Sequence, residues 1–235
     1  MSSNNLSESN APNHLGLILD GNRRWAKENG YSVSEGHRKG YQNLKTITKA
    51  AIKLGVSYVS AYVFSTENWD RDKQEVQDLM KLLSWVLKYE VRKLDRENIR
   101  VRVIGSKLTL GTAMLRAIHR AEEQTKNNTR GTLLLCLDYG GQQEIVDAIK
   151  RIAEVGVDPN DITPEIVSKF LYAPDIPPVD LIIRTSGEQR LSNFMMWESA
   201  YSELMFESKY WPDYTEKDLK LAVRRYGILK RRFGK

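Results

Sequence analysis

His14-Leu15-Gly16-Leu17-Ile18-Leu19-Asp20-Gly21-Asn22-Arg23-Arg24-Trp25-Ala26-Lys27 is the stretch from which the fold is read. Leu15 to Leu19 is a short apolar run, too short to span a membrane and suited to a strand buried on both faces. It ends in Asp20-Gly21-Asn22, and Arg24 to Glu28 reads as a helix stopped by Asn29-Gly30. A carboxylate thus stands at the carboxyl end of a core strand, followed by a glycine, a helix start and two arginines. In open α/β sheets ligands bind at that end of the strands. Helix N–H groups and arginine forks suit phosphate oxygens, and an aspartate among such charge suits Mg²⁺ shared with the phosphates. The same residues also fit a plain strand–turn–helix with Asp20 as the helix N-cap.

Working outward, apolar runs at Tyr58–Phe64, Ile99–Ile104, Thr132–Leu137, Val179–Ile183 and Glu203–Phe206 read as further strands. Helical spacing marks His37–Leu54, Glu75–Asn98, Leu108–Gln124 and Gln143–Ala153. Thr163-Pro164-Glu165 opens another helix, and Thr215-x-x-Asp218 resembles a capping box for a last one through Tyr226. The expectation is a single α/β domain over residues 14–235, with a mostly parallel central sheet of about six strands surrounded by helices. The apolar stripe of 75–98 is wider than one core contact needs. It fits a helix buried on two sides, or one whose second face lines an apolar groove or a subunit contact.

Three strand ends are rich in polar groups: Asp20-Gly21-Asn22, Glu67-Asn68-Trp69, and Arg184 to Asn193. The rim so formed carries Arg23, Arg24, Arg71, Arg184 and Arg190 against few carboxylates, which suits two diphosphates and a divalent cation. The familiar nucleotide loops G-x-x-x-x-G-K-[ST] and G-x-G-x-x-G are absent, as is a D-D-x-x-D motif. The net charge of +6 favours an anionic partner without choosing among phosphates, nucleic acid and acidic lipid. The one cysteine, Cys136, sits within an apolar run as a core filler, so no disulfide framework is expected. Residues 1–13 read as a disordered polar leader rather than a signal peptide, and no run reaches membrane-spanning length. A cytoplasmic chain is expected.

Several of these stretches, in order, resemble the cis-prenyltransferases, and most nearly the undecaprenyl diphosphate synthases. They are Asp20-Gly21-Asn22-x-Arg24-Trp25-Ala26, Gly36-His37, Phe64-Ser65-Thr66-Glu67-Asn68-Trp69-x-Arg71, Tyr139-Gly140-Gly141 and Arg184-Thr185-x-Gly187-Glu188-x-Arg190-x-Ser192-Asn193-Phe194. The resemblance covers nearly the whole chain from His14. It implies an apolar tunnel, a homodimer and Mg²⁺-dependent, cis-selective addition of isopentenyl diphosphate to an allylic diphosphate such as farnesyl diphosphate. The product would be a long-chain polyprenyl diphosphate such as undecaprenyl diphosphate, a lipid carrier for cell-wall sugars.

By position, the resemblance makes Asp20 the catalytic aspartate and a Mg²⁺ ligand, with Glu203 as a second metal ligand. Gly21, Asn22, Arg23, Arg24 and His37 would hold the allylic diphosphate, with Trp25 packed beside it. Arg184, Arg190, Leu191 and Ser192 would bind isopentenyl diphosphate. Ser65, Thr66, Glu67, Trp69 and Arg71 would complete the pocket, and Asn68 occupies the position tied to proton removal. Departures from the family pattern are Val33, Asp138, Gln142 and Gln189, which touch affinity and product length rather than Asp20 or the Arg184/Arg190 pair. The basic ending Lys230 to Lys235 reads either as a solvated end drawn weakly to acidic lipid or as an R-x-G tail whose Arg232 reaches the partner's substrate. Peripheral membrane contact for product release is the associated expectation. The rival readings are a catalytically silent subunit of a prenyltransferase complex and a nucleic-acid-binding module. The first would lack the Asp20 carboxylate. For the second no RNP-like aromatic pair is found, so no nucleic-acid partner is expected.

Overall fold

The opening apolar run forms strand β1 (His14–Ile18), in which every residue is buried. In the structure, a computed structural model that describes residues 11–229, β1 lies between β2 (Tyr58–Ser65) and β5 (Leu181–Arg184). Leu17 pairs with Ala61 on one side and with Ile183 on the other. With β3 (Ile99–Ile104), β4 (Gly131–Tyr139) and β6 (Glu203–Phe206), the sheet runs β3-β4-β2-β1-β5-β6. Every pairing is parallel, so each connection must cross over, and all but the one between β5 and β6 carry helix. The chain leaves β1 toward β2 and later returns to its other side as β5. The strand order therefore reverses at β1, and the crevice of such a switch opens at that strand's carboxyl end.

The single α/β domain, the parallel sheet and six strands all agree with the sequence expectation. The helices are α1 (Asn22–Glu28), α2 (Val33–Lys53), α3 (Lys73–Trp85), α4 (Val91–Asp95), α5 (Thr112–Thr125), α6 (Gly141–Glu154), α7 (Pro164–Lys169) and α8 (Glu216–Gly227). Alternation along the strands divides the core. Leu15, Leu17, Val59, Leu133 and Ile183 face α2 and α3, whereas Leu134, Cys136, Ile182 and Phe194 fill the opposite face. Cys136 is a buried free thiol, as expected of a filler.

Some boundaries move for identifiable reasons. The helix expected over 75–98 starts at Lys73, because the Asp72 carboxylate accepts from the N–H groups of Gln74 and Glu75. It passes through a π turn at Val86–Glu90 and ends at Asp95. The helix expected from Leu108 begins only at Thr112. Its intended first turn is diverted, since the hydroxyls of Ser106 and Thr109 both donate to Asp138 Oδ2. Pairing of β5 starts at Leu181 because the Val179 N–H is taken by the Glu198 carbonyl. The Thr163 cap and the Thr215–Asp218 capping box are both present. Of the expected leader, residues 1–10 lie outside the described residues. Asn13 belongs to the fold, donating to Asp180 Oδ2 and accepting from the N–H groups of Ser57 and Tyr58.

The arginine-bearing helix α1 is seated on α2 at very short range. A Cβ on Gly36 would come 2.5 Å from the Asn22 carbonyl oxygen and 2.8 Å from Ala26 Cβ. Gly36→Ala is therefore expected to cost about 1–3 kcal/mol by overpacking. Gly111→Ala, with nothing within 4 Å of the added carbon, should cost less than about 1 kcal/mol. Urea denaturation of the two variants checks the contrast, and equal losses would refute it.

Candidate active site

Asp20 lies two residues beyond β1, and its backbone is fixed on both sides. Its carbonyl accepts from the Trp211 N–H and from Thr185 Oγ1 at 2.7 Å. Its carboxylate does not cap α1. The N-cap is Gly21 at φ 104°, where a Cβ would also strike Tyr210 at 2.7 Å. Instead Oδ2 accepts from Arg184 Nη2 at 2.9 Å, while Oδ1 accepts from the Gly21 N–H and from Arg24 Nη2 at 3.3 Å. Among the described residues no side chain caps α1, and no acid occupies its first turn, so its first N–H groups and two arginines remain for an anion.

Arg184 closes β5 and is only 4% exposed. Besides Asp20 it donates to Ser192 Oγ at 2.6 Å and to the Arg190 carbonyl at 2.5 Å, while its Nε is buried without an acceptor among the described residues. The loop that follows holds Ser186, Ser192, Asn193 and Met195 at positive φ. Such strain in non-glycine residues persists where surrounding contacts over-determine it, which is common at functional sites. The Arg190 guanidinium turns outward to Glu188, which also meets Arg24 at 3.4 Å.

A second cationic cluster forms on the other side of Asp20. Arg23, His37 and Arg71 converge on Glu75 at 3.5, 3.4 and 3.1 Å. Burial holds the His37 imidazole below its usual range, and Arg71 and Arg23 act in the same direction against the opposing pull of Glu75. His37 is therefore a neutral donor or acceptor at pH 7. Glu75 was not singled out in the sequence. Its one available signal was its position four residues after Arg71, at the start of a helix.

Asp20 and Arg24 of the first cluster and Arg23, His37 and Arg71 of the second line a cavity of about 810 Å³. Asp20, Gly21, Asn22, Arg23, Arg24, His37, Asn68 and Arg71 supply its polar wall, and Leu44, Leu79, Leu83 and Val86 are among its apolar lining. Asn68 Oδ1 accepts from the Ser65 N–H at 3.2 Å, which leaves its Nδ2 as the group free to act in the cavity. Asn193 ties three loops together, donating to Glu67 and accepting from the N–H groups of Gly141 and Gln142. Thr66 abuts Gly140, where a Cβ would lie 2.7 Å from its hydroxyl. Leu191 packs against the core face around Phe194.

Of the expected positions, Trp25, Ser65, Thr66, Glu67, Trp69, Arg184, Arg190, Leu191, Ser192 and Glu203 are not among the residues that line this cavity. The Trp25 indole donates to Asp213 and stacks on Tyr31, so it braces α1 from behind. Trp69 donates to Asp138, packs edge-on against Phe64 and faces a different cavity. Glu203 begins β6 opposite Leu181, whereas Arg184 is level with Phe206. At about 3.3 Å per residue, Glu203 sits roughly 10 Å behind the rim and cannot share an ion with the Asp20 of its own chain. Arg232 lies outside the described residues.

Among the described residues no group of three or more His, Cys, Asp and Glu side chains could hold a metal. Asp20 is instead a lone carboxylate on a cationic wall. That donor set fits Mg²⁺, which keeps waters and takes phosphate oxygens as ligands, and does not fit an all-protein cage.

Beneath the Gly140-Gly141 turn lies a buried acidic pair. Tyr139 Oη and the Tyr172 N–H donate to Glu144. Burial and the facing Glu144 push the Glu198 carboxyl up to about 8, and burial raises Glu144 as well.

The sequence pattern of the family described as "Putative undecaprenyl diphosphate synthase" matches residues 18–234. An isoprenyl transferase of Thermotoga maritima is 45% identical over 225 residues, covering 95% of this chain and 97% of that protein. Lavandulyl diphosphate synthase from Lavandula x intermedia, solved in complex with dimethylallyl diphosphate, superposes with a TM-score of 0.92 at 36% identity, covering 97% of this chain and all of that one. A probable undecaprenyl diphosphate synthase from Campylobacter jejuni gives 0.82 at 29% identity, covering 96% of this chain and all of its own.

The acidic pair sets a pH dependence. The folded chain keeps a proton on Glu198 that the unfolded chain loses above the ordinary glutamate range. Stability therefore falls as pH rises from about 4.5 toward 8 and levels off beyond. Glu198→Gln should reduce this slope, leaving what Glu144 contributes, and gain about 1–3 kcal/mol over the native chain by pH 8. Urea denaturation at pH 5, 6.5 and 8 reads the difference, and a constant gap across that series would contradict the assignment.

Proposed function

This chain belongs to the undecaprenyl diphosphate synthase family and is a prenyltransferase, and we propose that it condenses isopentenyl diphosphate with an allylic diphosphate in a Mg²⁺-dependent, cis-selective reaction. The primer is farnesyl diphosphate, and the product a long-chain polyprenyl diphosphate of the undecaprenyl class that serves as a cell-wall lipid carrier. The observation that carries the reading is Asp20, bridged to Arg184 and Arg24 between two cationic clusters, at the head of a cavity whose other wall is apolar. The dimethylallyl diphosphate with which the lavandulyl enzyme was solved is itself an allylic diphosphate, which supports that substrate class.

In this reading the allylic diphosphate rests on the first turn of α1 with Arg23, Arg24 and His37. Its hydrocarbon lies against Leu44, Leu79, Leu83 and Val86. Arg184, Ser192 and Arg190 hold the second diphosphate. The allylic C–O bond breaks with its electron pair leaving on the diphosphate. The isopentenyl double bond forms the new C–C bond, and a proton leaves the adjacent carbon. Guanidinium groups stabilise the growing negative charge. Mg²⁺ held by Asp20 and phosphate oxygens would supply further charge neutralisation. Because Asn68 Oδ1 is committed to the Ser65 N–H, its free Nδ2 acts as a positioning donor, and the departing diphosphate is the proton acceptor. Each added isoprene unit buries more apolar surface at about 25 cal/mol per Å², which offsets the cost of holding a longer chain. The apolar wall is thus the start of a product tunnel.

A homodimer fits the edge strand β6 and the loop before it, where Met196, Tyr201 and Leu204 are exposed. The same edge carries Glu203, so a carboxylate too distant for its own Asp20 is presented toward the second subunit. No helix of the described residues is long and apolar enough to cross a membrane, and we place the enzyme in the cytoplasm with peripheral membrane contact.

Purified chain, labelled isopentenyl diphosphate and farnesyl diphosphate should give a Mg²⁺-dependent product of one dominant length by mass. Asp20→Asn keeps an acceptor for Arg184 while removing the charge, and should lower turnover by about 10²–10³-fold with an unchanged melting curve. Near-normal turnover would sink the reading. Arg184→Lys keeps a charge but loses the fork, and should raise KM for isopentenyl diphosphate roughly tenfold more than for the primer. Equal effects on both would refute the division of the two phosphate sites.

A further inference from the structure

Helix α3 and the π turn that continues it form a partition one helix thick. Leu79, Leu83 and Val86 face the cavity described above, while Val76, Met80 and Trp85 line a second cavity of about 660 Å³ on the outer side. The opposite wall of that second cavity comes from the turn before α5 and its first residues, including Leu110 and Met114. Trp85 and Tyr89, with Lys88 between them, share one face of the helix and stay 44% and 60% exposed. Two cations stand at this cavity. Lys81, whose side chain is 71% exposed, meets Asp78 at 3.3 Å. Lys88 has no acid partner among the described residues.

We propose that this outer groove is a lipid-docking site that seats the acyl chain of an anionic phospholipid, with Lys81 and Lys88 on the headgroup and Trp85 and Tyr89 at the bilayer interface. The charge is complementary to an acidic membrane surface, where each lysine close to the surface adds to the attraction. Amphipathic aromatic rings settle at the level of the headgroups. Among the described residues the groove's lining is otherwise apolar or weakly polar, with no carboxylate in it. An anionic peptide or a nucleotide would find little to hydrogen-bond there, whereas a hydrocarbon chain is accommodated.

The inference rests on the reading that the product is a polyprenyl lipid, and it adds where that lipid meets the membrane. Docking by this face would put the bilayer one helix diameter, about 10 Å, from the cavity that holds the growing chain. Trp85 also contacts Tyr41, a residue of the first cavity, edge-on at 6.4 Å. The partition is thus a single layer of side chains in contact with both spaces.

The test is flotation of the purified chain with vesicles rich in phosphatidylglycerol, against vesicles of phosphatidylcholine alone. Binding to the acidic vesicles only is expected. The double variant Lys81→Glu/Lys88→Glu should weaken it roughly tenfold or more. Brominated acyl chains should quench tryptophan emission, and Trp85→Phe should lower that quenching while the melting curve stays put. Absence of flotation, binding indifferent to the charge reversal, quenching unchanged in Trp85→Phe, or self-association through this face abolished by the double variant would each overturn the proposal. Turnover is measured on the same preparations. Vesicle binding as expected from an enzyme that condenses nothing would count against the proposed reaction and leave the docking face standing. Turnover without vesicle binding would do the reverse.

Discussion

A buried guanidinium at the end of β5 is the constraint on which the site depends. Arg184 is nearly inaccessible to water and faces Asp20 across the join of two neighbouring parallel strands. Removing a charge from water costs several kcal/mol, and an ion pair rarely recovers more than that. The bridge is therefore better understood as a device for position than as a source of stability. It fixes the carboxyl ends of β1 and β5 relative to one another, and it aims Asp20 at the cavity with both oxygens already in cationic surroundings. The unpartnered Nε of Arg184 has the same meaning. A buried donor without an acceptor is costly, and an incoming phosphate oxygen would relieve it.

The remaining cations are kept apart by two carboxylates in the free protein. Glu75 holds Arg23 and Arg71 on one side of Asp20, with the neutral His37 beside them, and Glu188 holds Arg24 and Arg190 on the other. Without these acids the arginines would repel one another and drift into solvent. With them, each group is held in place by a weak ion pair that, in the proposed reaction, an incoming diphosphate would displace. Keeping His37 neutral has a parallel effect. It offers hydrogen bonding at the cavity wall without adding a charge that the buried setting would penalise.

Strands β1, β4 and β5 were legible because they are buried on both faces and read as apolar runs closed by polar residues, and β3 because Arg100 and Arg102 alternate with buried Ile99, Val101 and Val103. The caps at Thr163 and Thr215 were legible for the same local reason. Side-chain direction was not. Trp25 and Trp69 stand in the same short motifs as Asp20 and Asn68, yet their rings turn to Asp213 and Asp138, because a motif fixes spacing and not the face on which a large ring finds its partner. Glu203 was misplaced by a related limit. A four-residue strand has two ends, and only the register with β5 shows that Glu203 enters the sheet at the end away from the rim. The late start of α5 depends on Asp138, a residue 26 positions beyond Thr112 that recruits Ser106 and Thr109. Nothing local announces it.

Strain in the loop after β5 completes the logic of the site. Ser186, Ser192, Asn193 and Met195 adopt left-handed backbone, at a cost of order 1 kcal/mol or more each. They are held there by Arg184 on Ser192, by Glu67 and Gln142 on Asn193, and by Phe194 buried between Tyr62 and Tyr139. A loop of flexible serines and asparagines would have to be ordered each time a substrate arrived. Here the ordering is done during folding, so the groups proposed to hold the second diphosphate are placed before any ligand enters. A reaction that joins two diphosphate-bearing molecules gains most from that arrangement, because bringing two reacting carbons together in register is the largest entropic term in its barrier.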